Sequence, residues 1–460
     1  MSDQQASPAL DGSARLARRI GLFDGTMIVM GGIIGSGIFM NPHVVAEAVH
    51  EPAFILGAWA VGGLIALAGA FIYAELAALR PQVGGQYAYI REAIHPSAAF
   101  IYGWTLLLVV NTGGMAAVAV TFARYFTELT RLTVADGIVA AVALGALTII
   151  NCLGVRAGTT VQSALMLLKI LAIVALIGFG LTVDWEWSVL SGRRAAYARP
   201  PEPVDLGTLT SFGAALVPVL FAYGGWQTAS FVAGEMREPR KNLPRALLIG
   251  VVGVIVLYMA VNFVCVNALG AEGLANAKTP ASEVMWLALG EKGRRIIAMG
   301  IAISTLGFLS QSILTAPRVY FAMADDGLFF KRVAWLHPLT RVPVVAIALQ
   351  GALAIVIAIS GRYEQILNYV VSIDSIFFGL TAVCLFALRK AEPRNREGAS
   401  HALKVNSAVI VLFIAAEWLV AASAIHKDPS NSLIGVAILI AGIPVYFFWR
   451  TKARNEAESD

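Results

Sequence analysis

Charged residues and cysteines are scarce in this chain of 460 residues. Only 14% of the residues are Asp, Glu, Lys or Arg and only three are cysteines, whereas 58% are hydrophobic. The mean hydropathy is +0.73. This composition is too apolar for an ordinary soluble domain. The three cysteines are isolated and have no ligand-like spacing, so we predict that they serve packing, and we predict neither a metal site nor a cofactor.

Long apolar segments occupy most of the chain. About twelve of them are near or above the length needed to cross a hydrocarbon core of about 30 Å. We call them spans 1 to 12, and they cover residues 22–49, 52–79, 97–126, 134–151, 157–183, 207–234, 244–270, 296–323, 343–361, 365–388, 405–425 and 431–449. The sequence therefore predicts an all-α integral membrane protein with about 12 transmembrane helices.

The positions of lysine and arginine predict the orientation in the membrane. Twelve spans place both termini on one side, and the loops and tails of that side carry 22 of the 34 basic residues, against 11 on the other side. This bias predicts cytoplasmic termini in a multi-pass protein of the inner or plasma membrane. Because the bias also explains the net charge of +5, the charge does not indicate nucleic-acid binding. The polar residues 1–21 contain no signal-peptide core.

Glycines interrupt span 1. Four of them lie within seven residues, at Gly31, Gly32, Gly35 and Gly37, and each weakens a helix interior by about 1 kcal/mol. We interpret this cluster as a break in the helix. A half-helix that begins at the break would point free N–H groups and its positive dipole end at an anion such as a carboxylate. The alternative is that the glycines form a close-packing seam between helices.

Span 6 contains a second glycine interruption, in the stretch Phe221-Ala222-Tyr223-Gly224-Gly225-Trp226. Gly224 follows Ser36 by 188 positions, which is close to the separation between the starts of spans 2 and 7. Broken helices at corresponding positions of two halves are typical of inverted-repeat transporters whose substrate site lies near the membrane midplane. The pair of breaks therefore predicts transport more strongly than either glycine cluster alone.

Polar side chains inside the spans give further candidates. Lys169 lies about 13 residues, or about 20 Å of helix, from either end of span 5, which is too far for its side chain to reach the interface. A lysine at this depth should face the bundle interior and have a partner, so we favour a functional role. Asn111 and Thr112 form a small polar patch in span 3, which could line a pocket or hydrogen-bond between helices.

These motifs resemble those of a known family. The stretch 31–39 is similar to the first-helix motif of the amino acid–polyamine–organocation (APC) superfamily. The stretches 84–87, 167–171, 221–226 and 235–246 resemble its L-type amino acid transporter branch. The resemblance covers spans 1 to 10 and implies the LeuT-type fold, which is a 5+5 inverted repeat with broken helices 1 and 6, followed here by two extra spans. It also implies sodium-independent amino acid transport, often by obligatory exchange.

The resemblance also implies roles for individual residues. The backbone of Ser36, Gly37 and Ile38, next to Gly35, would bind the substrate carboxylate. The carbonyl groups near Ile33 and Ile34, together with those of Phe221, Ala222 and Gly224, would bind the α-amine. Phe221 and Trp226 would line or gate the side-chain pocket. Lys169 would stand where sodium-coupled relatives hold a sodium ion, and it would tie span 1 near Gly31 or Gly32 to Ser304 of span 8.

Two departures from the family pattern refine this expectation. Animal members carry a cysteine between spans 3 and 4 that bridges to a heavy chain, but residues 127–134 contain no cysteine, so we expect no disulfide-linked heavy chain. Neither broken helix carries an acidic residue within its interruption, which points to neutral amino acids. We therefore expect small-molecule L-amino acid substrates and membrane lipid as partners, and no nucleic acid.

The sequence predicts seven segments. They are a cytoplasmic tail (1–21), repeat 1 (22–183), an extracellular loop (184–205), repeat 2 (206–389), a cytoplasmic loop (390–404), spans 11 and 12 (405–449) and a cytoplasmic tail (450–460). Exchange and proton-coupled symport both remain open as mechanisms. A non-transporting receptor is disfavoured because no cytoplasmic domain is evident. An enzyme is disfavoured because the spans contain no paired carboxylates, histidine cluster or nucleophile–base set.

Overall fold

A computed structural model describes residues 16, 18–183, 206–360, 363–391, 404–427 and 429–459. Within these ranges every regular element is a helix, which confirms the all-α prediction. The predicted loop 184–205 lies outside the described residues. Residues 1–15 of the predicted N-terminal tail and most of the predicted loop 390–404 also lie outside them.

Seventeen α-helices are numbered here in chain order. They are α1 (Leu22–Ile33), α2 (Gly37–Val49), α3 (Pro52–Leu79), α4 (Gln86–Ala93), α5 (Pro96–Thr105), α6 (Asn111–Thr130), α7 (Asp136–Cys152), α8 (Val155–Gly180), α9 (Leu206–Tyr223), α10 (Pro239–Asn276), α11 (Pro280–Leu289), α12 (Glu291–Thr315), α13 (Pro317–Asp325), α14 (Val344–Ser360), α15 (Tyr363–Ala391), α16 (Ser407–Lys427) and α17 (Pro429–Ser459). A π-helical turn (Leu106–Val110) joins α5 to α6, and two 3₁₀ helices cover Trp226–Glu235 and Lys331–Ala334.

Most of these elements are long and apolar enough to cross a membrane. Among the described residues, nine helical segments meet that requirement, and the bent pair α1 and α2 makes a tenth if it is counted as one span. The helices α7 and α14 are apolar but have only 17 residues each. They coincide with predicted spans 4 and 9. The prediction that this chain is a membrane protein is therefore confirmed.

Both predicted interruptions are present as breaks. In span 1, α1 ends at Ile33 and α2 begins at Gly37, and the two helices are bent by 40° relative to each other. In span 6, α9 ends at Tyr223 and gives way to the 3₁₀ helix that begins at Trp226. Between them Gly225 has φ +105, a conformation that glycine adopts far more readily than other residues. The regular helical hydrogen bonding therefore ends in both spans where the glycines cluster.

The two broken spans cross each other at their breaks. The first half of one packs against the second half of the other: α1 contacts the 3₁₀ helix Trp226–Glu235, and α2 contacts α9. Gly32 and Gly225 bring the two backbones together, since a Cβ atom on either glycine would overlap the carbonyl oxygen of the other. This antiparallel crossing is the arrangement that an inverted repeat produces at its substrate site. The helices α3, α8, α10 and α12 pack around it.

Polar contacts close the side of the bundle on which α1 begins, called here the N-terminal face. Ile20 pairs with Met236 through the backbone, and the N–H of Arg237 donates to the carbonyl of Ile20 at 2.8 Å. Beneath this pairing, Arg318 donates two hydrogen bonds to the carboxylate of Glu235, at 2.6 and 3.1 Å, and both side chains are fully buried. Removing one partner of a buried ion pair leaves an uncompensated charge, so this contact holds α13 firmly to the end of span 6.

Candidate substrate site

The backbone is accessible where the two broken spans meet. Gly35, Ser36 and Gly37 are partly exposed although Ile34 and Ile38 on either side are fully buried. Across from them Phe221 and Gly224 are also accessible, and Phe221 is 43% exposed. Accessible peptide groups inside a membrane protein occur only where protein, water or a ligand can satisfy them. The accessible residues at the two breaks, called here the opening, are therefore where a ligand could bind.

The start of α2 offers unpaired hydrogen-bond donors to this opening. The N–H groups of Gly37 and Ile38 belong to its first turn, where a helix has no acceptor of its own for them. The Ser36 side chain does not cap the helix, and the N–H of Phe39 already donates to the carbonyl of Ser36 at 3.1 Å. Among the described residues, a Cβ at Gly35 would meet only the Phe308 ring, at 3.6 Å. A carboxylate could therefore approach the break at Gly35, whereas at Gly37 a Cβ atom would meet Ala222 at 3.3 Å, and Ile38 is fully buried.

Protein donors already bind the carbonyl groups that were assigned to the substrate amine. The Tyr258 hydroxyl of α10 lies 3.2 Å from the carbonyl oxygens of both Ile33 and Ala222, and it bridges the two breaks. The carbonyl of Phe221 accepts the N–H of Gly224 at 3.2 Å. Each carbonyl oxygen has two lone pairs, so each retains one acceptor position.

Lys169 contacts the unwound part of span 1. Its side chain on α8 is completely buried, and its ammonium group donates a hydrogen bond to the carbonyl of Ile34. The Ser304 hydroxyl of α12 donates to the next carbonyl, that of Gly35, at 3.1 Å. The Lys169 side chain also lies against Gly307, one turn after Ser304. Three elements, α8, α12 and the break, therefore meet around one ammonium group.

Lys169 was predicted to contact span 1 near Gly31 or Gly32, and the carbonyl that it reaches is that of Ile34, two residues after Gly32. The amide of Gln162 on α8 occupies the space beside Gly31. Gly32 instead approaches Gly225, and a Cβ there would lie 2.9 Å from the Thr228 hydroxyl. Gly31 thus permits the close approach of α8, and Gly32 permits close packing of the two broken spans, as the seam interpretation proposed.

Trp226 lies behind the opening rather than at its surface. It is 2% exposed and it belongs to an aromatic cluster, with its ring stacked on Phe378 at 5.6 Å and edge-on to Tyr73 at 4.7 Å. It also lies so close to Gly69 that no side chain would fit there. Of the two predicted pocket aromatics, only Phe221 is accessible in this conformation.

The polar patch in span 3 is mostly satisfied by its own helix. Thr112 is fully buried and its hydroxyl donates to the carbonyl of Leu107 at 2.6 Å, across the π-helical turn. The Asn111 amide lies 3.5 Å from the sulfur of Met115, one turn further along the same helix. Thr112 and Asn111 thus both make local contacts of the kind that support helix geometry.

Sequence reasoning missed Tyr258 and Phe308. Tyr258 is fully buried, and its ring packs edge-on against Trp59 at 5.6 Å. A signal was present, because Tyr258 and Asn262 place two polar groups one turn apart in an otherwise apolar span. Phe308 had no distinguishing signal, since a phenylalanine in span 8 is equally compatible with contact to lipid. Among the described residues, no group of three His, Cys, Asp or Glu side chains could hold a metal ion.

Comparisons with known proteins identify the family of this chain and several relatives. The sequence matches the family model described as amino acid permease over residues 20–447. It is 30% identical over 443 residues to the serine/threonine exchanger SteT of Bacillus subtilis (strain 168), covering 94% of this chain and 97% of that protein. It is 30% identical over 457 residues to the human large neutral amino acids transporter small subunit 2, covering 96% of this chain and 83% of that protein.

A further relative is the human Asc-type amino acid transporter 1, which is 28% identical over 463 residues, covering 97% of this chain and 86% of that protein. These matches confirm the resemblance to the L-type branch that the glycine motifs indicated. Because the family model extends over nearly the whole sequence, through both broken spans, this chain belongs to the amino acid permease family of the APC superfamily.

Proposed function

We propose that this protein exchanges neutral L-amino acids across the cell membrane without sodium, by alternating access around the two breaks. The observation that carries the proposal is the Lys169 ammonium group bound to the carbonyl of Ile34. An ammonium there supplies a fixed positive charge to the unwound backbone, so a bound sodium ion is not needed for that purpose. The neighbouring bond from Ser304 to Gly35 holds the same segment with a neutral donor.

The substrate class follows from the groups at the opening. The free N–H groups of Gly37 and Ile38 would bind the carboxylate, and the remaining acceptor positions on Ile33, Ala222 and Phe221 would bind the α-amine. Neither break carries an acidic side chain that would select a basic substrate. The name of the relative SteT, a serine/threonine exchanger, supports exchange of small neutral amino acids.

The proposed setting is the inner or plasma membrane with both termini in the cytoplasm. The two-to-one distribution of basic residues supports this orientation, which makes the N-terminal face cytoplasmic. The chain is proposed to transport without a disulfide-linked heavy chain, because residues 127–134 contain no cysteine. The repeats are proposed to cover residues 22–183 and 206–389.

Counterflow in vesicles tests exchange and sodium independence together. The purified protein is placed in liposomes loaded with unlabelled serine, in choline buffer, with equal pH on both sides. We expect labelled serine added outside to accumulate transiently above its equilibrium level, and we expect the same rate when sodium replaces choline. Empty vesicles should take up about tenfold less label, since exchange requires an internal substrate for the return step.

Two other outcomes would contradict the proposal. Uptake that requires sodium would mean that Lys169 does not substitute for the ion. Accumulation in empty vesicles driven only by an acidic exterior would identify a proton symporter, which is the alternative mechanism. Labelled alanine, leucine and lysine, tested in parallel, define the substrate range.

The N–H groups at the start of α2 predict that the substrate must carry a negatively charged carboxylate group. Alaninamide lacks the carboxylate but keeps the amine and the side chain of alanine. We expect it to compete with labelled serine at least about tenfold more weakly than alanine, because loss of a charge-assisted hydrogen bond costs about 1.5–3 kcal/mol. Competition curves against labelled serine measure the ratio. Equal inhibition by the two compounds would contradict the assignment of the carboxylate site to Gly37 and Ile38.

A further inference from the structure

A cavity with basic walls lies on the N-terminal face, between the segment that leads into α1 and the start of α10. It has a volume of about 460 Å³ and is lined by Arg18, Pro81, Glu238, Pro239, Arg240 and Lys241. The backbone pairing of Ile20 with Met236 joins the two segments. The same segments carry three further arginines with exposed side chains, Arg19, Arg237 and Arg245. Six basic residues are thus concentrated in the two short segments that form the cavity.

Acidic side chains compensate little of this positive charge. Glu238 is the acidic residue of the lining, and its carboxylate lies 3.8 Å from the Lys241 ammonium group. Both side chains are exposed, so water screens the pair. The neighbouring Glu235 is already bound by the buried Arg318, and Asp24 accepts a hydrogen bond from α8. Among the residues that the structure describes, the five arginines of the two segments make no ion pair.

Other arginines on the predicted cytoplasmic side do have acidic partners. They form the pairs Arg80–Glu92, Arg91–Asp326 and Arg389–Glu75. The bias of basic residues to one side of the membrane explains why a loop is positive, but it does not require unpaired arginines next to a cavity. The cluster therefore needs a negative charge from outside the described part of the chain.

An exposed apolar stripe continues from the basic cluster along α10, a helix that is long and apolar enough to cross a membrane. The exposed residues Lys241, Arg245, Ile249, Val252 and Val256 follow one another at intervals of three or four, so they share one face of the helix. The three apolar members are 52%, 46% and 63% exposed. A molecule with an anionic head and apolar tails would contact both parts of this face.

We propose that the cavity binds the phosphate group of an anionic phospholipid, held by Arg18, Arg240 and Lys241, while the apolar stripe of α10 contacts the acyl chains. Clusters of about four to eight basic residues at the cytoplasmic end of a membrane helix attract anionic lipids. The stripe distinguishes a lipid from a free phosphate ion, which would gain nothing from it. The inference rests on the proposed orientation, because the cytoplasmic leaflet supplies the lipid, but it does not rest on exchange.

The bound lipid stabilises the closed N-terminal face. Arg18 precedes α1, whereas Arg240 and Lys241 follow the 3₁₀ helix of span 6, so the two walls of the cavity belong to the two broken spans. Opening of this face in alternating access would separate Ile20 from Met236 and would divide the cavity. A lipid that contacts both walls therefore binds the closed state more tightly and shifts the equilibrium towards it.

Thermal unfolding of the purified protein in detergent tests the site without a transport assay. Phosphatidylglycerol is added to one sample, and phosphatidylcholine, which has no net charge, is added to another. We expect phosphatidylglycerol to raise the unfolding temperature about 2–3 °C further, because a ligand of the folded state stabilises it. The triple variant Arg18→Gln, Arg240→Gln, Lys241→Gln should lose this difference, with an affinity about a hundredfold lower, since each basic residue contributes about fivefold.

A second triple variant is the matched control. Arg156→Gln, Lys390→Gln, Arg450→Gln removes three exposed basic residues from other helices on the same predicted side, and it should respond like the wild type. Glycerol 3-phosphate, which has the charge of a headgroup but no acyl chains, should not replace the lipid.

Hydrogen exchange measures the effect on the closed face. The N–H of Ile20 donates to the carbonyl of Glu235 at 2.9 Å, and the N–H of Arg237 donates to the carbonyl of Ile20 at 2.8 Å. We expect phosphatidylglycerol to slow exchange at both N–H groups, because they exchange when the face opens. Unchanged exchange at both groups would contradict stabilisation of the closed face.

Four results would overturn the lipid site. They are equal stabilisation of the wild type by the two phospholipids, an undiminished response of the cavity variant, full stabilisation by glycerol 3-phosphate, and loss of the response in the control variant. The third would assign the cavity to a soluble phosphate compound, and the fourth would mean that net charge alone attracts the lipid. A protein that keeps the lipid response but fails in counterflow would contradict the proposed function and leave the lipid site supported.

Discussion

Replacement of Gly225 by alanine should reduce exchange at least about a hundredfold. The residue has φ +105, and a Cβ atom there would overlap the carbonyl oxygen of Gly32. A left-handed conformation costs a non-glycine residue about 1–2 kcal/mol, and the overlap adds to that cost because backbone atoms of α1 must move. The two broken spans would then separate where they cross. The substrate site would be lost, and so would the movement that closes it. Counterflow with equal amounts of folded protein measures the effect.

Gly213→Ala is the matched control for this substitution. It lies in the same span, and a Cβ atom there would meet nothing within 4 Å, so we expect exchange close to the wild-type rate. Thermal unfolding in detergent then separates two causes of the loss at Gly225. A folded, stable Gly225→Ala protein without exchange places the defect in transport itself. Exchange at the wild-type rate with unchanged stability would contradict the close contact between Gly32 and Gly225.

The breaks were predictable from sequence because they depend on local chemistry. Glycine clusters weaken a helix wherever they occur, and the matching positions of Ser36 and Gly224 in the two halves distinguished breaks from ordinary packing seams. Which glycine of the pair Gly224-Gly225 takes the positive φ was not predictable, since both permit it. The choice is made by the crossing partner, because Gly225 is the residue that faces Gly32.

The partners of the carbonyl groups were only partly predictable, because they depend on how separate helices meet. A buried lysine indicated an acceptor near the break, but Gln162 occupies the space beside Gly31 and Lys169 reaches Ile34 instead. The bridge made by Tyr258 requires the distances from α10 to both breaks, which a single sequence does not contain.

Exchange by Lys169→Ala should have a maximal rate about 10- to 100-fold below that of the wild type. A hydrogen bond to a charged group contributes about 1.5–3 kcal/mol, and about 1.4 kcal/mol corresponds to a tenfold change in rate. The substitution leaves the carbonyl of Ile34 without its donor and opens a space between α8, α12 and the break. The apparent affinity for serine should change less, because the N–H groups of Gly37 and Ile38 remain in place.

Ser304→Ala provides the graded control for the lysine. It removes a neutral donor from the adjacent carbonyl, that of Gly35, and a neutral hydrogen bond contributes only about 0.5–1.5 kcal/mol. We therefore expect a loss of about 2- to 10-fold in maximal rate. Lys169→Met, which keeps most of the side-chain volume but has no charge, should behave like Lys169→Ala if the ammonium group is what matters. A wild-type rate for Lys169→Met combined with a slow Lys169→Ala would instead assign the effect to packing, and wild-type exchange by both would exclude a role for Lys169 in the transport cycle.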